Sequence, residues 1–177
     1  MIYKIDDFVA PVCYEKIDIL HQDESILMIG KPSGLLSLSG KNPLNKDSVH
    51  YRLLQEFPTA SLVHRLDFGT SGIMLVALNK PVTANLSKQF QARSIAKSYI
   101  AFLNGNIETD TGVIDLPIAR GEFPRQKICS IEGKLARTHF RVLERSFSPD
   151  ITKVEFTPES GRTHQLRIHS RELGHGI

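Results

Sequence analysis

The stretch Gly72-Ile73-Met74-Leu75-Val76-Ala77-Leu78 constrains this chain more than any other segment. It is continuously apolar, has the length of a buried strand, and follows the turn-forming Gly69-Thr70-Ser71. A buried strand needs partners, and further strand-like segments are present. Ile26–Ile29 is stopped by Gly30-Lys31-Pro32-Ser33-Gly34, which is strong turn chemistry. Ser98–Leu103, Thr138–Leu143 and Val154–Thr157 also read as strands, the last ended by Pro158. Helical patterns are fewer. Val49–Phe57 places Val49, Leu53 and Leu54 at helical spacing, and Pro81 opens a segment in which Val82, Leu86 and Phe90 recur every fourth residue. Gly161–Leu173 reads as a turn running into a helix with Leu166, His169 and Leu173 on one side. Strands outnumber helices and do not alternate strictly with them, which predicts an α+β fold with a largely antiparallel or mixed sheet.

With 177 residues the chain fits one domain: 1–18 reads as an N-terminal tail or short edge segment and 19–177 as the folded body. A hydrophobic content of 41% against 23% charged residues excludes disorder for the bulk of the chain. No apolar run approaches the roughly 20 residues of a membrane span. Lys4, Asp6 and Asp7 stand where a secretory signal would be apolar, and Cys13 and Cys129 cannot build a disulfide framework or a multi-cysteine zinc site. These features point to the cytoplasm. The net charge of +3 is unevenly spread. Met1–Asp67 holds 7 Lys+Arg against 9 Asp+Glu, whereas Phe68–Ile177 holds 15 against 10. Between Phe68 and Ile107 there is no acid, only Lys80, Lys88, Arg93 and Lys97. Arg120, Arg125, Lys127, Lys134, Arg137 and Arg141 form a second basic cluster. Clusters of this kind bind phosphate backbones or simply form solvated faces, and one alone favours the second reading.

Three groups of residues could carry chemistry. His64-Arg65-Leu66-Asp67 runs into Gly69-Thr70-Ser71-Gly72 just before the apolar strand, so Asp67 either projects into a cleft or caps its own turn. In Lys97-Ser98-Tyr99 strand alternation sends Lys97 and Tyr99 to one face. Gly161–His169 crowds Arg162, His164, Gln165, Arg167 and His169 into eight positions. On a helix these side chains cover more than one face, so they cannot all form a solvent stripe.

Several rival chemistries lack their residues. No His-Glu-x-x-His pattern or cysteine–histidine pairing suggests a metal, and no Gly-rich phosphate loop is present. Ser71 lacks the flanking pattern of a hydrolase elbow. A triad of Ser71, His64 and Asp67 would crowd three partners into one loop.

Taken together, four segments resemble the motifs of the RluA family of RNA pseudouridine synthases. His64-Arg65-Leu66-Asp67 with Thr70-Ser71-Gly72 looks like the family signature, and Gly161–His169 is similar to its later motif. Lys31-Pro32-Ser33-Gly34 resembles the first motif and Lys97-Ser98-Tyr99 the short tyrosine motif. They stand in family order from about Ile19 to His175, and four matches in register are far more specific than one. The stretch around Pro124-Arg125-Gln126-Lys127 looks most like the small RluA branch, whose substrates are 23S ribosomal RNA and a tRNA anticodon stem-loop.

The resemblance implies the pseudouridine synthase fold, a long mixed or antiparallel central sheet with peripheral helices and loops. It implies isomerisation of uridine to pseudouridine in structured RNA, with no cofactor and no metal, by a monomer. By the family's motifs Asp67 is the catalytic carboxylate, Arg167 pairs with it and keeps it ionised, and Tyr99 stacks on the target base. Arg65, His64, Lys97, Arg162 and His164 are the implied RNA-binding residues, Arg65 holding the RNA with its target nucleotide flipped out. Two departures stand out. Gly30 occupies a position where the family usually has Asn. Gly174-His175-Gly176-Ile177 has Gly for the expected Pro and then ends, where family members continue through several tens of residues; the expectation is a catalytic domain lacking its C-terminal part. The alternative expectation is a non-catalytic RNA-binding or chaperone module that presents basic surface without a complete active site.

Overall fold

The computed structural model describes residues 8–122 and 125–177. Met1–Asp7, the first part of the expected tail, and Pro124 lie outside the described residues. The chain forms two compact units, 1–94 and 95–177.

In the first unit β1 (Asp18–Gln22), β2 (Ile26–Lys31), β3 (Ser61–Leu62) and β4 (Gly72–Ala77) form an antiparallel sheet in the order β1-β2-β4-β3. The apolar run is indeed a central strand, but it is not buried throughout. Met74 and Val76 are fully buried, whereas Ile73 is 60% exposed. The reason is alternation: antiparallel strands direct successive side chains to opposite faces, and only one face meets a continuous core. That core also takes Leu27, Ile29, Leu35, Val49 and Leu53. Two helices form where the patterns place them, the first ending at Leu53, short of the expected Phe57. The short helix α1 (Val49–Leu53) is capped by Ser48, whose hydroxyl accepts the Tyr51 N–H. Asn79 caps α2 (Lys80–Ala92) by accepting the Val82 N–H, with Pro81 in the first turn where no amide donor is needed.

The register of β2 against β4 runs from Ile26 opposite Ala77 to Lys31 opposite Gly72. The turn after β2 and the loop before β4 therefore leave the same end of the sheet, which brings two of the four motifs together. Residues 8–17, in front of β1, form no regular element but are fastened to this unit. Asn45 donates to the Phe8 carbonyl and accepts the Ala10 N–H, while Arg52 donates to the carbonyls of Cys13 and Glu15.

In the second unit β5 (Tyr99–Asn104), β6 (Thr111–Asp115), β9 (Arg137–Phe147) and β10 (Asp150–Pro158) form an antiparallel sheet in the order β5-β10-β9-β6, and β7 (Ile118–Arg120) pairs with β8 (Gln126–Ile128) as a ribbon. Leu103, Ile107, Ile114, Phe140, Val154 and Phe156 make the core, and helix α3 (Gln165–Glu172) adds Leu166 to it, with Leu173 just beyond its end. Burying one such side chain is worth about 1.5–3 kcal/mol. Gly112 faces Phe140 across the ladder, and a Cβ there would lie 2.4 Å from the ring, so the ring lies where a side chain at 112 would stand. The sheet also carries charge pairs between strands, Arg137 with Asp115 and Arg141 with Glu155, and His139 hydrogen-bonds Glu159, just beyond β10. The architecture is α+β with antiparallel sheets, as the sequence predicts.

Candidate active site

In the first unit, the loop before β4 presents Asp67, half-buried, at the start of a tight turn. The main chain closes this turn, the Thr70 N–H donating to the Asp67 carbonyl at 3.0 Å. The backbone on either side of Asp67 is gripped by the segment after β2. The Ser37 hydroxyl donates to the Leu66 carbonyl (2.6 Å) and accepts the Leu66 N–H (3.1 Å). The Gly34 N–H and the Lys31 ammonium both donate to the Phe68 carbonyl, at 3.0 and 3.3 Å. The Ser33 hydroxyl donates to the Gly69 carbonyl at 3.1 Å. Gly34 adopts φ +74, a left-handed conformation costly for a residue with a Cβ. The main chain is thus fixed at positions 66, 68, 69 and 70, and the carboxylate of Asp67 is carried on a rigid support.

Lys31 is 2% exposed. Its amine also donates to the Pro32 carbonyl at 2.8 Å. Burial pulls its pKa below the ordinary lysine value, while Cys13 and the Asp67 carboxylate act in the opposite sense. Phe68 is held by its ring too, which meets Phe8 edge to face with centroids 5.5 Å apart. An open cavity of about 380 Å³ lies alongside, lined by Lys31, Ser33, Ser71, Gly72, Glu15 and Asp18 among others. In the sequence Lys31 stands in a turn segment that resembles the family's first motif, but nothing there marks Lys31, Ser37 or Phe8 as a grip on the Asp67 loop. Lysine, serine and phenylalanine carry no local signal that they grip a loop some thirty to sixty positions distant.

The neighbours of Asp67 divide. Arg65 is exposed. His64 serves the fold: its Nε2 accepts the Leu75 N–H at 2.9 Å and its ring stacks on Phe90 at 4.6 Å. It ties the loop to β4 and α2.

In the second unit the other motifs converge. Lys97 precedes β5 and Tyr99 opens it, both half-buried, and the exposed Ser98 between them donates to Glu155 at 2.8 Å. Tyr99 and Leu166 both pack on the core, and the Lys97 amine lies 3.9 Å from where a Cβ on Gly161 would stand. The Gly161–His169 side chains separate by depth. Gln165 and His169 are buried, Arg162 and His164 are half-buried, and Arg167 is exposed on α3. The Arg162 guanidinium donates to the Leu135 carbonyl at 3.2 Å. His164 precedes α3 with φ 55, a left-handed backbone that a non-glycine residue adopts at some cost and that recurs at functional sites. In the second basic cluster Arg137 and Arg141 are paired with carboxylates, which narrows the phosphate-binding candidates there to Arg120, Arg125, Lys127 and Lys134.

Comparison with known proteins gives this arrangement a family. Residues 25–172 match the model of RNA pseudouridylate synthase. The chain is 45% identical over 161 residues to the dual-specificity RNA pseudouridine synthase RluA of Yersinia pestis, covering 90% of this chain and 78% of that one. It is likewise 45% identical over 166 residues to the protein of the same description from Haemophilus ducreyi, covering 91% and 74%. Among solved structures, human RNA pseudouridylate synthase domain containing 1 superposes with a TM-score of 0.77 at 30% identity, covering 94% of this chain and 69% of that one. The chain belongs to the RNA pseudouridylate synthase family. It is an RNA pseudouridine synthase, an isomerase acting on RNA, and membership does not favour a non-catalytic RNA-binding module. Among the described residues no helix is long and apolar enough to cross a membrane.

Proposed function

We propose that this enzyme isomerises uridine in structured RNA stem-loops of two kinds, in 23S ribosomal RNA and in a tRNA anticodon stem-loop, and that Asp67 is its catalytic carboxylate. The dual specificity in the names of its relatives supports the first part. The observation that carries the second is the grip on the Asp67 turn, where residues 31–37 hold the main chain around a single acidic side chain. A group that must meet a reacting atom gains most from such fixed placement. In the isomerisation the N1–C1′ bond of uridine breaks, the base turns in place, and a C5–C1′ bond forms. The C5 proton is lost and N1 gains one, so no net change of atoms or electrons occurs.

Asp67 attacks or deprotonates to open the glycosidic bond, Tyr99 stacks on the base and assists proton transfer at C5, and Arg167 supplies the positive charge that favours the carboxylate form. Arg65, Lys97, Arg162 and His164 contact the RNA, and His64 contributes through the loop that it ties down. The catalytic part is residues 19–177, acting as a cytoplasmic monomer without cofactor or metal.

RNA carrying tritium at uridine C5 tests this reading directly. The enzyme should release the label to water from both tRNA and 23S RNA, and Asp67→Asn should stop release while RNA binding persists. Normal release by Asp67→Asn would overturn the assignment of the carboxylate. Failure to release from either RNA with folded protein would overturn the substrates.

A further inference from the structure

Beneath the Ser160–His169 segment runs a chain of buried hydrogen bonds that the reaction itself does not use. Ser160, Thr138, Gln165 and His169 are 3%, 0%, 4% and 0% exposed. Donor and acceptor capacities fix every proton in it. The Leu116 carbonyl can only accept, so His169 Nε2, 3.0 Å away, bears the hydrogen. Gln165 Oε1 accepts from the Ser160 hydroxyl (2.8 Å) and the Arg162 N–H (2.9 Å). Its amide nitrogen then donates to the Arg137 carbonyl (3.1 Å) and to Thr138 Oγ1 (2.9 Å). Having accepted from Gln165, the Thr138 hydroxyl donates its own proton to His169 Nδ1 at 2.9 Å. The chain runs in one direction, from Ser160 to Leu116, and it closes only with a neutral imidazole. An imidazolium would bring a second N–H against Thr138 and leave the buried hydroxyl proton without its acceptor.

We propose that His169, neutral and protonated on Nε2, is a positioning residue for the isomerisation. Through Thr138 and Gln165 it sets the turn that carries Arg162 and His164 and the start of the helix that carries Arg167. This rests on the roles given to those three residues above. Burial holds the His169 pKa below the usual histidine value. Asp115, at the end of β6, and Glu172, on α3 itself, act in the opposite sense. On the neighbouring strands β9 carries Arg137, Arg141 and Arg145, paired with Asp115, Glu155 and Asp110, and β8 carries Lys127. The working form is therefore the one present at neutral pH, and it is lost as pH falls through the lowered pKa of the folded protein.

The test follows turnover at saturating RNA, labelled with tritium at uridine C5, between pH 8 and pH 5.5. His169→Gln, placed to donate to Leu116, puts its amide oxygen where the ring carries Cδ2–H and leaves Thr138 without the acceptor that Nδ1 supplies. It should turn over about tenfold more slowly than wild type at pH 8 with KM within twofold, and that gap should close as pH falls. Thr138→Val should behave in the same way at pH 8, and Thr138→Ser, which restores the hydroxyl, should recover most of the rate. A residue with a merely structural role would lower the melting temperature while leaving turnover of the folded enzyme and its pH profile unchanged, and that outcome would overturn the proposal. So would two profiles that run parallel at every pH. If wild-type protein releases no label at any pH, the activity reading fails on its own account. The imidazole ¹⁵N spectrum then decides: a His169 still protonated only on Nε2 at pH 6 upholds the buried chain, and one titrating like free histidine overturns it.

Discussion

The loop that bears Asp67 and the segment that bears Arg167 are both fixed in place, by opposite means. Around Asp67 the bonds end on main-chain carbonyls and amides of residues 66–70, and the gripping groups come from residues 31–37. Around Arg167 the bonds are made by the segment's own side chains, Gln165 and His169, which reach down into the sheet. A loop held by its backbone leaves its side chains available for chemistry, and the titratable group in that grip, Lys31, holds its proton more firmly as pH falls. A segment held by its own side chains gives up positions to the fold, and one of them can take a proton. Robustness to acid should therefore differ between the two regions.

Arg167→Met should break this comparison most severely. The exposed guanidinium makes little contribution to folding, so melting should hardly move while saturated turnover falls roughly 100-fold or more, the scale of losing one electrostatic partner of a reacting group. Arg167→Lys should recover part of the rate, since charge is kept but the planar fork is lost. Thermal melts and label release measured together separate the two effects, and unchanged turnover would remove Arg167 from the reaction. Ser37→Ala comes next. It strips the buried Leu66 carbonyl and N–H of their shared partner, and each group left unsatisfied costs about 1–3 kcal/mol. Denaturant unfolding should register the loss, with turnover falling further than stability alone explains.

A change of pH sharpens the contrast. Because folding lowers the His169 pKa, its contribution to stability is fully present above the unfolded value of 6.5 and is lost as pH falls below it. The slope is at most about 1.4 kcal/mol per pH unit and ends once the folded-state pKa is passed. Melting of the wild type between pH 7.5 and pH 5.5, set against His169→Gln, isolates this term. Phe8→Ala should have the smallest effect. An edge-to-face pair is worth about 0.5–1.5 kcal/mol, and the Phe68 carbonyl keeps its own bonds. A small stability loss with turnover reduced only a few-fold would confirm that the backbone grip dominates.

Much of the fold was legible along the chain. Ile26–Lys31, Gly72–Ala77 and Tyr99–Asn104 announce themselves as apolar runs bounded by turn residues, and Asn79 with Pro81 marks the start of α2. Strands β6 and β8 did not, because Thr111–Asp115 and Gln126–Ile128 have weak patterns of their own. They become strands by pairing with β9 and β7. Strands β9 and β10 extend beyond Thr138–Leu143 and Val154–Thr157 for a related reason: Glu144, Arg145, Thr152 and Lys153 have no strand pattern of their own but pair across the ladder, Lys153 opposite Glu144 and Thr152 opposite Arg145.

The same division holds for the candidate site. Sequence alone determined which residue types are present and in what order, and hence that Asp67 stands in a turn before a strand and that Gly161–His169 is too polar for a single face. Local spacing carries this information, because turns and strand alternation act over a few residues. Only the tertiary structure decided that Lys31 and Ser37 hold the main chain beside Asp67, that His64 serves β4 and α2, and that Gln165 and His169 belong to the interior while Arg167 stays outside. Hydrogen bonds between residues thirty positions apart depend on which strand ends meet, and strand register sets that across the whole sheet.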